Sequence, residues 1–187
     1  MASPKTRTRG SRRPEVNPPD PSLAVPVEIL DEHGLPLVVM PMLQAVGQGL
    51  CFRKAVTALF AGDRLFLRKV MPTPSRRENR REVFDLFVTP VPVDLAPEDV
   101  AAHGPAELLG YAPAIRLLAE MPPQAGFPVR LSLFAANLAP GGLALLAGKN
   151  LSSFDADELH GITAQSPELF SQDLLRILAA GVLFPKP

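Results

Sequence analysis

The sequence predicts an α+β fold, and three observations carry that prediction. Apolar runs alternating at a period of two fill the first half of the chain. One short helical pattern, interrupted by Gly104-Pro105, lies in the middle. The strongest helical spacing, Ser166 to Val182 with Leu169, Leu174, Leu175, Ile177 and Leu178 on its apolar side, comes at the end. Strands and helices do not alternate as repeated βαβ units, and there is no internal repeat.

The 187 residues suit one domain plus a tail, and a hydrophobic content of 47% is enough for a real core. Lys+Arg and Asp+Glu balance at 19 each, which argues against a nucleic-acid footprint spread over the whole protein. A single Cys excludes an intrachain disulfide framework and any multi-cysteine metal site. Two long stretches lack charge, Leu35–Phe52 and Leu131–Gly148. Prolines and glutamines interrupt the first and Pro140-Gly141-Gly142 splits the second, so neither reads as a membrane span. The basic start has no apolar run after it, unlike a secretory signal. A soluble, cytoplasmic protein is expected.

Residues 1–22 are basic, proline-rich and poor in large apolar side chains. They are expected to be a disordered tail preceding a domain over 23–187. A solubilising role and a polyanion-binding arm are the two readings of that tail. Val25, Val27 and Ile29 predict a strand, Asp31 to Gly34 a turn with His33 in it, and Leu35 to Met40 a hairpin partner. Met42–Gly49 reads as a loose connection. Phe52–Phe60 reads as a central strand, returning through Ala61-Gly62-Asp63 into Arg64–Val70. Cys51 at the head of the central strand reads as a buried structural thiol rather than a nucleophile. Met71–Arg81 carries Arg76, Arg77, Arg80 and Arg81. It reads either as a solvated loop or as a phosphate clamp, since guanidinium forks match phosphate oxygens.

Val83–Val93 reads as the next strand, with Pro90 and Pro92 forcing an abrupt exit. Pro97 to Gly110 has helical spacing, with Val100, Leu108 and Leu109 apolar and Glu98, Asp99 and Glu107 polar. Gly104-Pro105 predicts a helix in two pieces, because interior Pro costs about 3 kcal/mol and Gly about 1. Ile115–Met121 and Val129–Asn137 read as strands, and Leu143–Ala147 as a further extended piece. Asp155 with Glu158 predicts a capped helix start, and Gly181 a C-terminal cap.

Three segments resemble the Nudix superfamily, nearest its isopentenyl-diphosphate isomerase-type branch. They are Val27–Leu37, VEILDEHGLPL; Gly49–Val70, GLCFRKAVTALFAGDRLFLRKV; and Asp157-Glu158-Leu159 with Gly161, followed by Pro167–Ser171 and the terminal helix. The resemblance covers most of residues 24–185. It implies an α/β/α sandwich, a Nudix-like mixed β-sheet flanked by helices. It also implies a box, G-x5-E-x7-R-E-U-x-E-E-x-G-U with U a bulky apolar residue, whose carboxylates hold Mg²⁺ or Mn²⁺ for attack at a diphosphate. Anchored on Gly110-Tyr111, the pattern puts Thr89 at the first Gly, Leu95 at the first Glu and His103 at the Arg. Gly104 and Pro105 fall at the next Glu and apolar residue, Glu107 at the first Glu of the last pair and Leu108 at its second. The box is degenerate.

Two readings follow. One is a Nudix fold impaired in or lacking hydrolysis that binds a ligand or partner and needs no cofactor. The other is an active Mg²⁺- or Mn²⁺-dependent hydrolase of a nucleoside-diphosphate-linked or other diphosphate. There Glu107 would be catalytic and Glu107, Glu98 and Asp99 the metal ligands, with Asp94 a further loop carboxylate. In either case Arg76, Arg77, Arg80, Arg81 and Arg53 are the candidate anion-binding side chains, and a small phosphorylated ligand is the expected partner. No membrane or nucleic acid is expected, and the chain is expected to be a monomer or homodimer.

Overall fold

The computed structural model describes residues 24–71, 81–139 and 141–184. The basic tail lies outside those residues, as do Arg76, Arg77 and Arg80. Every described element is placed relative to one strand, β3 (Phe52–Ala61), which is buried along almost its whole length. Its run of Ala, Val, Thr, Leu and Phe suits a strand covered on both faces. β3 pairs in parallel with β8 (Val129–Asn137) through nine registered residues, Phe52 opposite Val129 to Phe60 opposite Asn137. β7 (Ile115–Met121) adds antiparallel outside β8. On the other side β4 (Arg64–Val70) pairs with the end of β3, and β6 (Phe87–Pro90) pairs with its beginning. β5 (Val83–Asp85) and β9 (Leu151–Phe154) add to β4 and complete a seven-stranded mixed sheet.

Successive side chains of β3 point to opposite faces. Val56, Ala58 and Phe60 pack under α5 (Ala156–Gln165) and α6 (Gln172–Ala179), through Leu159, Leu174 and Ile177. On the other face, Ala55 meets Val100 and Ala101 of α2 (Pro97–Ala101). Leu59 meets Leu109 of α3 (His103–Leu109) and Leu146 of α4 (Gly142–Leu146). The result is the predicted helix–sheet–helix layering. A separate hairpin, β1 (Pro26–Leu30) with β2 (Pro36–Pro41), carries α1 (Met42–Gln48) beside it. Val27, Ile29, Met42, Ala45 and Phe52 form its core.

Four segments differ from the sequence expectation. Met42–Gly49 is helical because Met42 and Ala45, three apart, are both buried against the hairpin, and Gly49 at φ 65° closes the turn. Val83–Val93 is two strands. The Asp85 carboxylate takes the Leu86 N–H at 2.8 Å, and the chain changes neighbours there, from β4 to β3. Leu143–Ala147 is mostly the short helix α4; the extended piece falls later, at β9. The terminal helix does not start at Ser166. Pro167–Leu169 is a 3-10 turn, Phe170 is extended and buried against Phe84 and Phe154, and Ser171 then caps α6 by accepting the Leu174 N–H at 3.1 Å. Asp155 and Glu158 form the reciprocal cap expected of them, at 2.8 and 3.0 Å. Gly181, at φ 67°, follows the last residues of α6.

Candidate functional site

The helix that the family pattern assigns to the box is in two pieces, α2 and α3, joined through Ala102. Thr57 in the middle of β3 is fully buried, and its hydroxyl donates to the Ala101 carbonyl at 2.5 Å. That bond satisfies a carbonyl freed where the helix breaks, so the break is anchored to the sheet. Three residues on, Gly104 lies against Phe87 of β6. A Cβ added at Gly104 would lie 3.2 Å from both Cβ and Cδ1 of Phe87. At the position that the pattern gives to a carboxylate, a side chain would need Phe87 to give by a few tenths of an ångström. Pro105 is buried beside it, and Gly110 at φ 78° ends α3 with its N–H on the Ala106 carbonyl at 2.8 Å.

The sequence-derived carboxylates spread over this region. Glu107 is exposed on α3 and Glu98 is exposed on α2. Asp99 turns back to accept the Ala96 N–H at 3.0 Å. Asp94 sits in a left-handed turn at φ 64°, a conformation Asp tolerates better than most side chains. Among the described residues no group of three or more His, Cys, Asp or Glu side chains is placed to hold one metal ion. A hard divalent cation takes about six oxygens, several of them carboxylate or carbonyl, so the carboxylates described here do not fit one.

Glu98 does have a neighbour that sequence reading missed. It lines an open cavity of about 270 Å³ together with Ile115, Leu117, Glu120 and Phe134. The ladder between β7 and β8 slips between Leu117 and Ala119. Leu117 therefore stays opposite Phe134, while Glu120, three residues later, comes opposite Ser132 on the same face. Such a bulge breaks the period-two pattern by which Glu120 would be assigned a face. The cavity is lined by three apolar side chains and two carboxylates.

Arg53 is turned to Glu28 of β1 and forms an ion pair with it, both side chains being partly buried. Its charge is matched within the fold. Arg81 is exposed. Cys51 is half-buried, and burial raises its thiol pKa against the opposing pull of Arg130. The other face of the sheet holds a different polar group. Asp85 is buried, and its pKa is pushed up to about 6 by desolvation. The Ser171 hydroxyl and Leu86 N–H act against that rise, and the Asp173 carboxylate adds to it. Asp173 pairs with Lys54 at 2.9 Å.

No known family profile matches the sequence, and no curated protein matches it. Solved structures do match. DR0079 from Deinococcus radiodurans aligns with a TM-score of 0.60 at 13% identity, over 83% of this chain and 98% of that one. A mutT/nudix family protein from Listeria innocua gives 0.49 at 14%, over 68% and 88%. A NUDIX hydrolase from Nitrosomonas europaea gives 0.46 at 10%, over 70% and 89%. At such identities the likeness is one of fold. With its mixed sheet between helical layers, the chain shares the fold of DR0079.

Proposed function

We propose that this protein is a Nudix-fold binding protein that has lost metal-assisted diphosphate hydrolysis. The observation that carries the reading is the tight space at Gly104, where the family pattern has a carboxylate and an added Cβ would come within 3.2 Å of Phe87. The dispersal of Glu98, Asp99 and Glu107 supports it. The ligand enters the cavity between α2 and β7. The apolar side chains of Ile115, Leu117 and Phe134 take its hydrophobic part, and Glu98 and Glu120 favour a cationic group such as an amine. The phosphorylated-ligand expectation rests on Arg76, Arg77, Arg80 and Arg81, and it forms the second arm of the test.

A thermal-shift panel separates the two arms. Arylalkyl amines are expected to raise the melting temperature in wild type and lose that effect in Glu120→Gln. A shift given only by nucleotides and diphosphates, and kept in Glu120→Gln, would move the ligand site away from this cavity.

A further inference from the structure

The hairpin edge presents an apolar surface that nothing among the described residues covers. β2, with sequence PLVVMP, is exposed along nearly its whole length. Leu35, Leu37, Val38 and Val39 keep 61, 66, 52 and 51% of their surface accessible, and Leu43 and Val46 of the adjoining α1 keep 46 and 39%. Scattered apolar residues on a surface are ordinary, but a contiguous patch of this size is a mark of an interaction site. β2 is also an edge. It pairs with β1 on one side only, in a sheet of two strands. Both faces of the strand are apolar, with Leu37 and Val39 on one and Val38 and Met40 on the other. Pro36 and Pro41 blunt the two ends of this edge, but the stretch from Leu35 to Phe52 has no charge, which leaves Leu37 to Met40 unprotected.

We infer that β2 is the contact between two copies of this chain, pairing antiparallel with the β2 of the second copy about a two-fold axis at Val39. The pairing joins two hairpins into one four-stranded sheet and satisfies the free backbone groups of each edge. Three features choose a second copy over other occupants. An uncharged apolar strand is complementary to itself, as an isologous contact requires. Covering the six side chains in full would remove about 600 Å² per copy, so the ceiling for the pair, about 1,200 Å², is the lower end for a specific stable interface. The remaining segments of the chain are poor covers: residues 1–23 offer Val16 and Leu23 as large aliphatic side chains among prolines and charges, and residues 72–80 offer none.

The test is the mass of the full-length chain in solution by light scattering on a sizing column, over a concentration series. Wild type is expected at twice the 20.1 kDa chain mass at tens of micromolar. Val39→Lys and Val39→Glu, both at an exposed position, are each expected to run as monomers with the wild-type melting temperature measured at low concentration. An equimolar mixture of the two is expected to regain the doubled mass, because opposite charges then face each other across the axis. A monomeric wild type overturns the inference, as does a dimer that persists unchanged in both single variants. A monomeric wild type that dimerises once residues 1–23 are removed also overturns it, by showing that the tail is the cover.

Discussion

The Ser171 hydroxyl lies 2.6 Å from Oδ1 of Asp85, joining the cap of α6 to the end of β5 across 86 residues of sequence. The same oxygen accepts the Leu86 N–H at 2.8 Å. Asp85 is held near a pKa of about 6, against 3.8 for a free side chain, mainly because burial disfavours its charged form. The folded state therefore binds the proton more tightly than the unfolded state. This contribution to stability is complete below about pH 4 and is lost as pH rises through about 6. Asp85→Asn keeps an oxygen acceptor and removes the charge. It is expected to stabilise the protein at pH 7.5 by about 1–3 kcal/mol and to flatten this part of the pH dependence between 4 and 6. Urea melts at pH 4.5 and 7.5 check this; a variant less stable than wild type at pH 7.5 contradicts it.

Thr57→Val tests how the broken helix is held. The substitution keeps the shape and removes the hydroxyl that satisfies the Ala101 carbonyl. A loss of about 1–3 kcal/mol is expected, the cost of a buried acceptor left unpaired. Hydrogen exchange should show the increase in opening confined to α2 and α3. An even increase across the sheet would mean that Thr57 serves the core rather than the break.

Two glycine substitutions should have opposite signs. Gly47, inside α1, has no atom within 4 Å of an added Cβ, and its φ is not in the left-handed region. Gly47→Ala should stabilise by about 0.4–1 kcal/mol. Gly104→Ala meets Phe87 and should destabilise by about 1–3 kcal/mol, as overpacking does. If Gly104→Ala matches Gly47→Ala, the position has room for a side chain, and the main support for a non-hydrolytic role is gone.

Asp94 supplies a local test of the loop before α2. Its N–H and carbonyl lie in the turn closed by the Leu95 N–H on the Pro92 carbonyl at 3.3 Å, and φ at Asp94 is 64°. Position i+2 of such a turn favours Gly. Asp94→Gly is expected to raise stability by about 1 kcal/mol. An unchanged or lowered stability would show that the Asp94 carboxylate makes a stabilising contact that outweighs its strained φ.

Much of the layering was legible in the sequence because it follows from periodicity. The apolar run Ala55–Ala61 of β3, interrupted only by Thr57, the alternation in β8 and the Gly104-Pro105 break each have one structural solution. What was not legible depends on contacts between distant segments. Met42–Gly49 has no strong helical signal and is helical because of what Met42 and Ala45 pack against. Phe170 ends one helix and delays the next because Phe84, far away in sequence, draws it to the sheet edge. In the site, Glu107 and Glu98 were visible as acids on a helical pattern. The partner of Glu98, Glu120, was hidden by a bulge that alternation cannot show. The pairing of Arg53 with Glu28 needed the hairpin to be folded over the central strand.

The most direct test is turnover. Purified protein is incubated with nucleoside-diphosphate-linked sugars, dinucleotides and simple diphosphates, with Mg²⁺ or Mn²⁺ and with chelator, and released phosphate or nucleoside monophosphate is measured for wild type and Glu107→Gln. Release at the no-protein rate, equal in both proteins and indifferent to metal, is the predicted result. Metal-dependent release well above that rate, abolished by Glu107→Gln, would contradict it and restore the chain to the hydrolases.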